Sequence, residues 1–369
     1  MKNLCCIFNI PSLYREAIYT EIDRNYNCEW YFEKEDIDVA LFDTKVLKKV
    51  IMLQHGKVLG RLYRMKGLVR SIWRRKDFDA YLMVGAPMCA SIWILCVLLR
   101  IFHPGKPIYF WGHCWYGKET RAERIEKKCF LKLASELFVY GEYAAGLLKQ
   151  QGFRKETLHV IHNSLDYDQQ LQLREQDLQR DVYQEHFGNT YPVLLFIGRQ
   201  TPVKRLDMLL DAMVLLRHQG KTFNLVLVGD GSERAKLEQM VHELELKDQI
   251  WFYGPCYDQK TNAELIYNAG LCVAPGNIGL TAMHVLMYGC PALTHDSFAY
   301  QMPEFEAIKP GKTGCFFRRG DVGSLAATID KWFTVEGTDR ELVRQACYQE
   351  MDQYWNPAFQ MKVIKSVIG

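Results

Sequence analysis

The chain has 369 residues, 49% of them hydrophobic and 24% charged, with a formal net charge of +3. This length exceeds the usual limit for one hydrophobic core, and the composition excludes a disordered chain, so two globular domains are expected. Nucleic acid is not an expected partner, because no recognition motif accompanies the basic residues.

The amino terminus predicts a first strand at Leu4–Phe8 that reaches Pro11 after a short apolar run. It lacks a small-residue cleavage site, so no export signal is expected. The twelve cysteines include the adjacent pair Cys5 and Cys6 but no C-x-x-C, and most lie in apolar runs. Buried, reduced thiols and a cytoplasmic protein are the interpretation.

The segment from Lys45 to Lys76 contains 11 Lys and Arg and no acidic residue. Its apolar residues recur near the helical period, which predicts basic amphipathic helices. Such a face suits an anionic membrane surface, so the protein is expected in the cytoplasm with peripheral contact at the inner face of the cell membrane. A solvated charged face beside the core is the alternative, and the sequence leaves both open.

The run Ala90–Phe102 is the longest membrane-like stretch. It is too short to span a bilayer, which needs about 20 apolar residues, so it predicts a buried core helix.

Apolar runs alternate with helical patterns in both halves of the chain, which predicts parallel α/β units. We expect domains at 1–165 and 166–335, and a tail at 336–369 that packs back on the first domain. The remaining predicted strands are Cys28–Phe32, Ala80–Val84, Ile108–Trp111, Leu137–Tyr140, Leu158–Ile161, Val193–Ile197, Asn224–Val228, Ile250–Tyr253, Leu271–Ala274 and Pro291–Thr294.

In the second half, a buried strand runs into Gly198, Arg199 and Lys204 before a helix. Ligands bind at the ends of parallel strands. A guanidinium fork and a mobile ammonium there suit a diphosphate, although one basic residue after a strand is more often a solvated loop residue.

Two further turns strengthen this interpretation. Gly229-Asp230-Gly231 follows another buried strand, and the loop Gly276–Gly279 precedes a helix that starts near Leu280. The free N–H groups at such a helix start can hold phosphate oxygens.

The order of these motifs resembles the nucleotide-binding half of the GT-B glycosyltransferases, family 4 (glycosyl transferases group 1). The resemblance covers about 130 residues in collinear order. The shared turns and helix are G-R-x(4)-K at Gly198–Lys204, V-G-D-G at 228–231, F-x-G at Phe252–Gly254, G-L to G-x-P at Gly279–Pro291, Pro303-Glu304, and G-x-T-G-x-x-F at Gly311–Phe317.

The resemblance implies two Rossmann-like domains with parallel sheets facing a central cleft. It also implies retaining transfer from a UDP or GDP sugar, without a cofactor or metal, to a glycan or lipid-linked acceptor in cell-surface polysaccharide synthesis. Arg199 and Lys204 are assigned to leaving-group stabilisation. The donor-binding set is expected to be Gly198, Gly229, Tyr253, Gly254, Gly276, Asn277, Ile278, Gly279, Leu280, His284 and Glu304.

The sequence departs from the family at two positions. Members carry a pair of glutamates eight residues apart, and Gly276 and His284 occupy those positions here. His284 is able to hydrogen-bond a ribose hydroxyl, or it is a core histidine. The loss leaves open another donor sugar, a substitute carboxylate such as Glu304, or a protein that binds nucleotide sugar without turning it over. A GT-B sugar-nucleotide epimerase is a further alternative.

In the first half, His113 follows the strand Ile108–Trp111 and resembles a family histidine near the sugar. It is a candidate catalytic residue, with a core histidine as the alternative. Acceptor contact is expected from the loop after the first strand, through Ser12, Tyr14 or Arg15.

Overall fold

The computed structural model describes residues 1–34 and 40–369, which form two compact units. Unit 1 comprises Met1–Tyr167 and Asn356–Gly369, and unit 2 comprises Asp168–Trp355. Each unit contains one largely parallel sheet with helices packed on it, so the predicted α/β class is confirmed.

Every strand predicted from the sequence is present, and three others were missed. The strands are β1 Asn3–Phe8, β2 Asn27–Lys34, β3 Val50–Leu59, β4 Leu62–Lys66, β5 Ala80–Val84, β6 Ile108–Gly112, β7 Glu136–Val139, β8 Leu158–Val160, β9 Val193–Ile197, β10 Asn224–Val228, β11 Ile250–Gly254, β12 Leu271–Ala274, β13 Ala292–His295 and β14 Gly314–Phe317.

The α-helices lie between the strands and after β14. They are α1 Glu16–Asn25, α2 Leu68–Ile72, α3 Ala90–Phe102, α4 Arg121–Leu131, α5 Glu142–Gln150, α6 Tyr167–Arg174, α7 Val182–Phe187, α8 Leu206–His218, α9 Arg234–Glu243, α10 Gln259–Asn268, α11 Thr281–Met287, α12 Val322–Lys331, α13 Arg340–Tyr354 and α14 Pro357–Ile368.

The sheet of unit 1 has the order β4-β3-β2-β1-β5-β6-β7-β8, and only β3 and β4 pair antiparallel. Its central strands are buried on both faces, which explains their continuous apolar runs. Along β1, Cys5 and Ile7 enter the core beneath α3, whereas Leu4, Cys6 and Phe8 enter the core beneath α1 and α14.

The basic segment is the main error of secondary-structure prediction. Most of it forms the hairpin β3–β4, and only the short helix α2 follows. The hairpin turns at Gly60, whose φ of 56° lies in the left-handed region, and β3 adds to the sheet beside β2. Pairing with a sheet edge decided the conformation against a pattern that resembles a helix.

Helix α3 spans the predicted residues but is buried on one side only. Ile92, Leu95 and Leu99 are enclosed in the core, whereas Ile94 and Ile101 are exposed. The predicted core helix is therefore present, but only one of its faces is buried. None of the helices in the described part of the chain combines the length and apolar character needed to cross a bilayer.

The sheet of unit 2 is parallel, with the order β11-β10-β9-β12-β13-β14. Strand order reverses direction between β9 and β12, where the chain leaves β9 for one side of the sheet and later returns to the other. Ligands bind at such switch points in open α/β sheets.

The carboxyl-terminal segment divides between the units. Helix α13 belongs to unit 2, and the chain passes to unit 1 at Trp355 rather than at residue 335. Helix α14 packs against α1, with Met361, Ile364 and Ile368 in the unit 1 core.

Candidate functional site

Three successive turns line the carboxyl edge of the unit 2 sheet. The Gly198 amide donates to Val228 O at 3.0 Å, the Gln200 amide donates to Asp230 O at 2.8 Å, and the Gly229 amide donates to Gly254 O at 2.8 Å. The turns after β9 and β10 and the end of β11 therefore form one hydrogen-bonded row through the predicted residues Gly198, Gly229 and Gly254. The predicted Tyr253 precedes Gly254 in β11.

Glycine is required where these turns touch. Gly229 has a φ of 121°, and a Cβ there would lie 2.2 Å from Gly198 O. A Cβ at Gly231 would lie 2.3 Å from Gln200 O. A side chain at either position would displace the neighbouring turn. Without side chains there, the backbone groups of these turns line this edge of the sheet.

Lys204 is the last residue of a short 3-10 helix, Pro202–Lys204, just before α8. Its Nζ donates to the backbone oxygen of Asn277 at 2.7 Å and to Asn277 Oδ1 at 3.0 Å. Burial lowers the pKa of Lys204, the positive charge of Arg199 lowers it further, and the negative charge of Glu304 opposes this effect. The structure thus brings together Arg199, Lys204, Asn277 and Glu304.

Position 276 has no room for a side chain. A Cβ there would lie 1.8 Å from Val203 O and 2.8 Å from Lys204 Cα. The Gly276 amide also donates to Lys204 O at 2.9 Å. The loop before α11 is therefore packed directly on the backbone that carries Lys204, and a glutamate at this position is excluded while the loop keeps this conformation.

His284 lies on α11 and is held by a partner that the sequence did not suggest. Gln170 of α6 is within hydrogen-bond distance, with Nε2 3.1 Å from His284 Nδ1. Burial lowers the pKa of His284 to about 4, so the imidazole is neutral near pH 7. Gln170 comes from the polar stretch after unit 1, where no local pattern indicates a role.

The loop before α11 is supported by Gln301, which lies in the segment after β13. Gln301 accepts from the Ile278 amide at 3.0 Å and donates to Thr294 Oγ1 at 2.8 Å. Ile278 is almost wholly buried, so this predicted donor contact serves as a support of the loop. Gly279 has a φ of 56°, and Leu280 occupies the N-cap position of α11 without a side-chain capping hydrogen bond.

Glu304 lies in the 3-10 segment Pro303–Ala307 and is only 2% exposed. The negative charge of Glu304 acts on Lys204 and raises the pKa of that lysine, against the effect of burial. This makes Glu304 the carboxylate of the predicted set that belongs to the Lys204 environment.

In unit 1, His113 follows β6 and is surrounded by aromatic rings. Its ring centroid lies 4.9 Å from that of Tyr140 and 5.3 Å from that of Tyr116. Burial, together with the charges of Arg15 and Lys127, lowers the pKa of His113 to about 4. The imidazole is therefore neutral near pH 7 and able to donate or accept one hydrogen bond.

Ser12 and Arg15 of the predicted acceptor loop make contacts with other residues of the protein. Ser12 is 2% exposed, and its backbone pairs with Leu41. Arg15 donates to the hydroxyls of Tyr19 and Tyr140 and lies over the rings of Tyr14, Trp111 and Tyr140. The backbone of Ser12 and the side chain of Arg15 thus support this edge, and Tyr14 and Arg15 are both half-buried.

A second loop at the same edge was not identified from the sequence. Glu119 accepts from the amides of Tyr116 and Gly117 at 2.7 Å and 2.8 Å, and it pairs with Lys127 at 2.7 Å. A cavity of about 200 Å³ beside this loop is lined by Tyr116, Lys118, Glu119, Lys127, Met88 and Arg61. Its residues come from three loops and from helix α4, so no sequence motif marks it.

Within residues 1–34 and 40–369, no three side chains of His, Cys, Asp or Glu are grouped so that they could hold a metal ion. Each of the twelve cysteines is free, and ten of them are buried.

Comparison with known proteins gives a family match for part of the chain. Residues 179–348 match the family of glycosyl transferases group 1. The chain is 32% identical to a GDP-mannose-dependent alpha-(1-6)-phosphatidylinositol dimannoside mannosyltransferase of Mycobacterium tuberculosis over 113 residues. These residues make up 30% of this chain and 29% of that protein. The chain is also 24% identical to mannosylfructose-phosphate synthase of Agrobacterium fabrum over 216 residues. That alignment covers 55% of this chain and 46% of that protein.

The chain thus spans less than half of the length of these curated relatives. Solved structures match over far more of it, with low identity. Anabaena Alr3699/HepE in complex with UDP has a TM-score of 0.72 and 17% identity, and both chains are covered completely. The lipopolysaccharide outer core galactosyltransferase WaaB has a TM-score of 0.74 and 15% identity over 99% of both chains. The chain therefore has the GT-B fold, and its residues 179–348 match the glycosyl transferases group 1 family.

Proposed function

We propose that this protein is a glycosyltransferase that moves a sugar from a nucleotide diphosphate donor to a glycan or lipid-linked acceptor, with retention, in cell-surface polysaccharide synthesis. The observation that carries the proposal is the position of Lys204. Its ammonium group is partly buried, it has the positive charge of Arg199 beside it, and it makes no ion pair with any described carboxylate.

Burial destabilises the Lys204 ammonium, the charge of Glu304 opposes this effect only in part, and a further anion would stabilise the ammonium. A donor diphosphate would supply that anion, and its negative charge would raise the pKa of Lys204 again. Asn277 holds the ammonium in place before the ligand arrives, so little reorganisation is needed on binding.

The chemistry follows from charge. Breaking the bond between the anomeric carbon and the diphosphate places negative charge on the leaving oxygen, while the sugar becomes positively charged. Arg199 and Lys204 stabilise the leaving group. For retention, the acceptor attacks the face that the diphosphate leaves, and a phosphate oxygen takes the acceptor proton. We assign His113, in its neutral form, to a hydrogen bond with a sugar or acceptor hydroxyl.

No metal or other cofactor is part of this proposal, because the two cations perform the charge stabilisation that a metal ion performs elsewhere. The mycobacterial relative is named for GDP-mannose, and the Anabaena structure contains UDP. Both nucleotides are therefore donors to test here.

The test replaces the two cations singly. Arg199→Ala and Lys204→Ala should each lower turnover by about 100-fold or more, since removal of one charge-stabilising donor costs about 3 kcal/mol. The measurements are binding of UDP and GDP sugars by calorimetry, and donor hydrolysis or transfer. Arg205→Ala is the matched control, because Arg205 lies on the same loop but is exposed and pairs with Asp207 at 3.0 Å. Unchanged affinity and turnover in both variants would refute the site.

A second candidate function is a protein that binds nucleotide sugar without turning it over. The packing of Gly276 against Val203 favours it, because no carboxylate can occupy that position. Tight donor binding without hydrolysis or transfer to any acceptor would support this alternative, and turnover would exclude it.

We also propose a cytoplasmic protein with peripheral contact to an anionic membrane through the basic segment 45–76. Lys49, Arg61 and Arg75 form ion pairs with Glu29, Glu123, Glu126 and Asp77, and the Lys48 ammonium donates to the backbone oxygen of Asp23. The other cations of the segment make no ion pair within the described residues and are exposed. Replacing Lys66, Arg70, Arg74 and Lys76 by glutamine should weaken binding to anionic vesicles, and unchanged binding would refute the contact.

A further inference from the structure

Helix α3 presents an apolar stripe to the solvent. Its members are Ile94, Val97, Ile101 and Phe102, which are 53%, 43%, 63% and 57% exposed. The first three are spaced by three and four residues, so they lie on one face of the helix. The opposite face already fills the core of unit 1, so the stripe is not needed for folding.

Basic residues surround this stripe. Helix α2 packs against α3 and carries Arg70, and Arg74 follows it. The Phe102 ring lies 5.5 Å from the ring of Trp73, and the guanidinium of Arg74 lies 4.5 Å above that tryptophan. Aromatic contact therefore joins the apolar stripe directly to a cation.

The other side of α3 is also basic. Arg100 of α3 donates to Leu133 O at 2.9 Å at the end of α4, where the exposed Lys132 lies. Moreover, the sequence from Ala80 to Lys118 contains no Asp or Glu. The stripe is thus flanked by cations on both sides, without acidic residues on its own helix.

We propose that α3 lies flat in an anionic membrane, with the apolar stripe at the boundary between headgroups and acyl chains and with Arg70, Arg74 and Lys132 near the lipid phosphates. This combination of an apolar face and flanking cations is what binds interfacial helices to anionic bilayers. With 13 residues the helix is about 20 Å long, which is too short to span the hydrocarbon core.

Charge favours a lipid surface over a second copy of the chain. A symmetric dimer through the stripe would bring Arg70 and Arg74 of one copy close to the same cations of the other, and like charges oppose that contact. An anionic bilayer complements both the apolar and the basic part of the surface. The inference deepens the proposed membrane contact, since it names the inserted element.

The experiment compares vesicle binding of the full chain and the double variant Ile94→Gln/Ile101→Gln. Vesicles of phosphatidylcholine with about 30% phosphatidylglycerol are sedimented with protein at low salt and at about 0.5 M NaCl. The double variant should partition at least about tenfold less, because each half-exposed isoleucine loses its transfer into the apolar layer. Leu342→Gln is the matched control, since Leu342 is 68% exposed on α13 of unit 2.

Three results support or overturn the inference. Residual binding of the wild type at high salt that the double variant lacks would support it. Equal partitioning of both proteins would overturn it, and so would a dimer in gel filtration that the double variant dissociates. If the double variant has a lowered Tm, Phe102→Ser provides the same comparison at the helix end.

The membrane contact and the proposed activity are tested separately. Lys204→Ala should retain vesicle binding, and the α3 variants should retain donor binding, so either proposal can fail without the other.

Discussion

Gly276 shows how a residue with no side chain determines the position of a charged one. Its backbone packs on Val203, and its amide donates to the Lys204 carbonyl oxygen. The next residue, Asn277, accepts hydrogen bonds from the Lys204 ammonium. The position of the cation therefore depends on a contact that any Cβ would prevent.

Gly276→Ala should lower stability by about 1 to 3 kcal/mol and weaken donor binding at least about tenfold, because the added Cβ displaces the Val203–Lys204 backbone. Urea unfolding and calorimetry with UDP and GDP sugars measure the two effects. Gly105→Ala is the control, since a Cβ at Gly105 meets no atom within 4 Å and its φ is not positive. Normal donor affinity in Gly276→Ala would contradict the role of this contact.

The buried histidines predict a pH dependence of stability. The folded pKa of His284 is about 4, below its ordinary value of 6.5, so the unfolded chain binds more protons between these values. Stability should therefore be complete above about pH 6.5 and fall as the pH decreases towards 4, by about 2 kcal/mol at pH 5 from this one group.

His284→Gln removes the titrating group and keeps a polar side chain near Gln170. Between about pH 7.5 and about pH 5, the free energy of unfolding should fall in both proteins. The fall should be smaller in the variant, and the difference between the two proteins should be about 2 kcal/mol. Urea titrations at both pH values test this. Parallel losses in the two proteins would show that His284 does not contribute.

At the scale of elements, continuous apolar runs allowed the buried strands to be predicted almost to the residue. Strands β5 and β12, for example, begin and end where the sequence analysis placed them. The hairpin β3–β4 was missed because exposed edge strands carry charges on the solvent side, so their pattern resembles an amphipathic helix.

The hairpin turn supplies a test of the corrected assignment. Gly60 has a φ of 56° and no atom within 4 Å of an added Cβ, so a substitution acts only through the backbone. Gly60→Val should destabilise the hairpin by about 1 to 2 kcal/mol, whereas Gly60→Asn should be nearly neutral, because Asn tolerates the left-handed region.

Hydrogen exchange at the β3 and β4 amides distinguishes the two variants. Faster exchange in Gly60→Val alone is the expected result. Equal exchange in both would mean that the turn conformation does not limit the stability of the hairpin.

At the scale of the whole molecule, the end of the chain belongs to the unit in which the chain began. Ile364 of α14 is fully buried in the unit 1 core, next to residues of α1. The last fourteen residues, Asn356–Gly369, therefore contribute to the folding of unit 1 although all of unit 2 precedes them.

Ile364→Ala should destabilise unit 1 by about 2 to 5 kcal/mol, because it leaves a cavity in that core. Lys365→Ala is the control on the exposed side of the same helix. Hydrogen exchange should accelerate in α1, β1 and β2 of the Ile364 variant but not in β9 and β10. An equal effect in both units would contradict the assignment of α14 to unit 1.

The sequence by itself determined the α/β class, the central strands, and the family resemblance, because these depend on local apolar runs and on motifs of adjacent residues. Arg199, Lys204 and the glycine turns were predicted as a site for the same reason. Only the tertiary structure decided the partners of these residues. Gln170 meets His284, Asn277 meets Lys204, and Arg15 meets Tyr140 through contacts between distant segments, which no local pattern records. The exposed face of α3 was hidden for a related reason: its composition is apolar on both sides, and only packing shows which side the core covers.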